Sequence, residues 1–99
     1  MIGFMRFIKM ENNSQNNLED LVAWLEVNLR KGKYDLVDLY LLNVSVADLE
    51  PSCILAVLNF TSFERDKFKN RVLFLEQAES ILKNRLGNDR AESLLKFRR

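Results

Sequence analysis

Covalent catalysis by a side chain needs an activated Ser, Cys or Lys beside a group able to take its proton. Histidine serves most often as that group, and this chain contains none. Its single cysteine, Cys53, opens Cys53-Ile-Leu-Ala-Val-Leu58, an unbroken apolar run. Burial there would raise the thiol pKa and make the sulfur inert, so Cys53 reads as a small core residue. One Cys without His provides no ordinary zinc ligand set. Gly3, Gly32 and Gly87 stand apart, so the sequence has no glycine-rich loop to cradle a phosphate. These residues argue against an enzyme, and no catalytic residue, cofactor or metal is expected.

Carboxylates remain as candidates for acid–base work or Mg²⁺. Asp35 and Asp38 are three residues apart, which puts both on one helix face. The plainer reading is a solvated polar stripe, with Asp35 favoured at the positive end of its helix.

The charge map says more than the total. Fifteen basic and fourteen acidic residues give +1, which excludes a strong global pull towards nucleic acid or an anionic membrane. Residues 1–61 hold five basic and eight acidic side chains, net −3, whereas 62–99 hold ten and six, net +4. In that basic half Arg65, Lys67, Lys69, Arg71, Arg98 and Arg99 are the candidate phosphate contacts. Glu64 and Asp66 interrupt the cluster, so a nucleic-acid-binding regulator is the second reading rather than the first.

The first reading is a protein–protein interaction module, self-associating as a homodimer or docking on another protein. Trp24 lies about 60° outside the core stripe of its helix, and Val27 lies almost opposite that stripe. Seven of the nine residues from Tyr34 to Leu42 are apolar, and they occupy nearly the whole wheel. A small bundle has room for one helix apolar all round but hardly for two. The surplus marks Trp24, Val27, Tyr34, Leu36, Leu39 and Tyr40 as candidate interface residues.

The elements carrying these residues are helical throughout. The pattern predicts an all-α fold, a small bundle of four to five helices over about 18–31, 34–43, 51–61, 69–86 and 88–97. A short apolar N-terminal segment precedes it. Asn17 caps the first helix, Glu19 and Asp20 suit its positive end, and Gly32 stops it. Its core stripe is Leu18, Leu21, Val22, Leu25 and Leu29. Ser45 to Asp48 starts a single turn, and Pro51 fits the first turn of the third helix. Thr61 and Glu64 have capping-box spacing. The longest helix carries the stripe Phe68, Val72, Leu75, Ala78, Leu82 and Leu86, with Glu79 paired to Lys83 outside. Gly87 stops it and Asn88 caps the last helix.

The organisation expected is an apolar extension over 1–10, a polar linker over 11–17 and one helical domain over 18–99. The apolar start is short and interrupted by Arg6 and Lys9, so it is not read as a signal peptide. No run approaches the roughly 20 apolar residues of a membrane span. A reducing, cytoplasmic location is the expectation.

Overall fold

The computed structural model describes residues 17–99, and among them the chain is all-α, a small bundle of five helices without strands. The apolar segment 1–10 and linker residues 11–16 lie outside the described residues. Helix α1 is Leu18–Arg30, and the Asn17 side chain accepts a hydrogen bond from the Asp20 N–H at 3.2 Å. Gly32, at φ +74°, takes the left-handed conformation that turns the chain into α2, Tyr34–Asn43. A 3-10 turn over Val46–Asp48 leads to α3, Pro51–Phe60. A second 3-10 turn, Arg65–Lys67, precedes α4, Arg71–Leu86, and Gly87 at φ +89° separates α4 from α5, Asn88–Leu95.

The central position goes to α3. It packs against α1 and α4, and Cys53, Ile54, Val57 and Leu58 are wholly buried. Each of the three aliphatic side chains contributes roughly 1.5–3 kcal/mol relative to exposure. Helix α2 packs on α1 and α4. Val37, Asp38, Tyr40 and Leu41 turn inward, while Leu39 and Leu42 stay 38% and 53% exposed. Neither of the two apolar helices is enclosed on every side: Leu55 and Ala56 of α3 are half-buried, and α2 leaves Leu39 and Leu42 exposed.

Several local expectations need correction. Asp38 is buried, not part of a solvated stripe. Its carboxylate accepts from the Asn70 backbone N–H at 2.9 Å and from the Asn70 side-chain amide at 2.8 Å. That clamp holds the chain ahead of α4 in a turn, so α4 begins at Arg71 rather than 69. It also sets a negative charge at the positive end of α4.

The inward face of α4 is Arg71, Phe74, Ala78 and Leu82, and Val72 of the expected stripe is 63% exposed. Arg71 has polar partners in the interior, and drawing it inward rotates Val72 about 100° away. Glu79 and Lys83 pair with α5 and the chain beyond it rather than with each other. Lys83 reaches Glu92 at 3.3 Å, and Arg99 reaches Glu79 at 2.6 Å and Glu92 at 2.9 Å. Thr61 likewise forms no capping box; its hydroxyl donates to the Val57 carbonyl at 2.8 Å and ends α3.

Candidate functional site

The segment between α3 and α4 builds two contrasting sites. At its start Thr61 is fully buried. The Arg71 guanidinium donates from Nε to Thr61 Oγ1 at 2.9 Å and from Nη2 to the Leu58 carbonyl at 2.9 Å. Nη2 also donates to the Arg98 carbonyl at 2.6 Å, and Nη1 to the Arg99 carbonyl at 3.5 Å. One planar fork thus joins the end of α3 to the chain beyond α5. Its charge faces carbonyl oxygens at the negative end of α3. Burial, followed by the like charge of Arg65, lowers its pKa from the ordinary guanidinium value.

Two residues further on the chain does the opposite. Phe63 is 90% exposed. It forms one wall of an open cleft of about 210 Å³ lined also by Leu29, Tyr34, Phe60, Glu64 and Phe68. The cleft stands where the end of α1, the start of α2 and the end of α3 meet. Phe68, at its floor, is buried, and Tyr34 meets it edge-on with ring centroids 5.9 Å apart. Hydrogen bonding towards Glu64, then burial and the Glu64 charge, raises the Tyr34 pKa. The Lys67 ammonium lies 5.3 Å from the Tyr34 ring centroid. A cation at that distance is attracted by the negative face of the ring. The cleft is therefore an aromatic socket with one acidic and one basic side chain at its rim.

The expected interface residues divide among three environments. Tyr34 lines the aromatic cleft. Tyr40 is 5% exposed and belongs to the core, with the Trp24 ring tilted against it at 5.4 Å. Trp24 and Leu36 are half-buried, while Val27 (45% exposed) and Leu39 lie on the surface of α1 and α2.

The candidate phosphate contacts are dispersed as well. Arg71 is in the interior, Arg98 is half-buried and donates to the Leu94 carbonyl, and Arg99 is held by two carboxylates. Arg65, Lys67 and Lys69 remain exposed, with Glu64 just ahead of them and Asp66 between the first two.

Sequence reasoning missed Phe60 and Phe63 as members of a site. A signal was present: three of the seven phenylalanines fall within residues 60–68, beside a charged turn. An aromatic set in a charged loop has little to bury itself against and is a stronger hint of binding than a core aromatic.

As for reactive groups, Cys53 is completely buried, and burial raises its thiol pKa first among its causes. Among the described residues no group of three or more His, Cys, Asp or Glu is placed to hold a metal ion. Among the same residues no helix is long and apolar enough to cross a membrane. Fold and site together define a small all-α bundle with an open aromatic cleft at one end. Comparison with known protein families, curated proteins and solved structures finds no match to this chain.

Proposed function

We propose that this protein is a small non-enzymatic interaction module of the cytoplasm that binds another protein chain, with self-association as its working form. The observation that carries this reading is Phe63, held almost fully in water beside an aromatic cleft. Covering a phenyl ring and its socket in an interface removes apolar surface from water at roughly 25 cal/mol per Å². Exposed aromatics of this kind are characteristic anchors of protein interfaces. Leu39, Leu42 and Val72 add further exposed apolar surface on α2 and α4. The complete lack of His and the enclosed Cys53 speak against nucleophilic chemistry.

Light scattering on a sizing column at low micromolar concentration tests the reading. The expected mass is twice the 11.6 kDa of the chain. A mass near 11.6 kDa overturns self-association.

The nucleic-acid alternative retains Arg65, Lys67 and Lys69 as exposed cations. Two carboxylates interleaved with three cations leave little net charge to release counterions from a phosphate backbone. Mobility shifts with short DNA and RNA at low salt separate the two readings. Binding that disappears as salt rises would favour the alternative.

A further inference from the structure

The segment carrying Phe63 continues Glu64-Arg65-Asp66-Lys67, and all four charged side chains are exposed. Their signs alternate, minus, plus, minus, plus. Read backwards, the pattern becomes plus, minus, plus, minus. Residues 65–67 form a 3-10 turn, in which side chains three apart share a side, so Glu64 and Lys67 lie together, both beside Tyr34. An antiparallel meeting of two copies about a two-fold axis sets opposite charges face to face there. Glu64 of one copy meets Lys67 of the other, and Lys67 of the first meets Glu64 of the second. A parallel meeting would set like against like, at a cost in free energy. Such self-complementarity is the condition an isologous interface must satisfy.

The apolar part has the same property. Phe63 is a knob that the chain leaves in water, and the adjacent cleft of about 210 Å³ is its socket. A benzene ring is accommodated by an apolar cavity of about 150 Å³, so the cleft has room for one phenyl group. Tyr34, Phe60 and Phe68 offer ring faces and edges to receive it.

We propose that two copies of this protein exchange Phe63. Each ring enters the other copy's cleft, and the 64–67 turns set the register. The proposal rests on the self-association reading above and names the surface that performs it. The rings supply the apolar burial, while the exposed charges add little affinity and set orientation.

Analytical ultracentrifugation of the full chain, Phe63→Ser, Glu64→Lys and Lys67→Glu tests it. Circular dichroism first checks that each variant is folded; the side chains replaced are all exposed. Phe63→Ser is expected to weaken dimerisation at least tenfold. Glu64→Lys and Lys67→Glu are each expected to weaken their own homodimer. An equimolar mixture of those two variants should then dimerise more tightly than either alone. In the mixed dimer the two substituted side chains face each other as a pair of opposite charges. The unaltered Lys67 of one chain likewise faces the unaltered Glu64 of the other.

A wild-type dimer unaffected by Phe63→Ser overturns the exchange but leaves self-association standing. Failure of the mixture to recover overturns the two-fold register. A monomeric wild type overturns both readings.

Discussion

Thr61 and Phe63 are separated by one residue and lie at opposite extremes of burial, 0% and 90% exposed. The polar residue is inside and the large apolar one is outside. Thr61 and the carbonyls around it are paired, because Arg71 spans the end of α3 and the chain beyond α5 with one fork. Around Phe63 the surrounding helices stop short, since α1, α2 and α3 all end or begin there and none extends over the ring. Polarity alone does not decide position. A polar group can be buried where hydrogen bonds replace water, and an aromatic one remains exposed where no element covers it.

The largest expected effect breaks the enclosed half of that comparison. Arg71→Ala leaves the Leu58 and Arg98 carbonyls without this donor and opens a void beside Thr61, a loss of about 4 kcal/mol. Thermal unfolding should shift down by roughly 15 °C or more. Arg71→Lys keeps the charge without the fork and should recover less than half of the loss.

Next comes the clamp between α2 and α4. Asp38→Ala removes the acceptor of the Asn70 N–H and amide and should cost about 2 kcal/mol in urea unfolding.

A smaller effect is lost in acid. Hydrogen bonds from Arg99, then from Lys83, lower the Glu92 pKa below the usual carboxylate range. Its contribution is present above the unfolded-state pKa and fades as pH falls through the depressed folded-state value. Glu92→Gln should therefore lower the melting temperature slightly at pH 7, and the difference should shrink as pH falls below the ordinary carboxylate range.

The smallest effect belongs to the open half. Phe63→Ser should change the stability of the folded monomer by less than about 0.5 kcal/mol, measured at dilution that excludes association. A large loss of monomer stability would show that Phe63 packs within its own chain and would dissolve the contrast with Thr61.

Much of this architecture is legible in the residues alone. Asn17, Gly32, Pro51 and Gly87 mark helix boundaries by local chemistry, through a capping side chain, a left-handed glycine or a ring without an N–H. The burial of the central Cys53-Ile-Leu-Ala-Val-Leu58 helix is legible too, because so apolar a run has to leave water, and four of its six residues are wholly buried. The choice of α3 rather than α2 for that central place was not legible, since both wheels are apolar.

Local sequence by itself determined helix type, order and approximate ends, because propensity, capping and periodicity act within a few residues of the chain. Tertiary structure alone decided which polar side chains are taken inside. Asp38 finds Asn70 across 32 residues, and Arg71 finds the Arg98 carbonyl across 27. The same long-range packing decided that Phe63 stays out. Whether a buried hydrogen bond can be completed, or a ring covered, depends on elements that meet only when the chain has folded. No periodicity along the chain encodes that meeting.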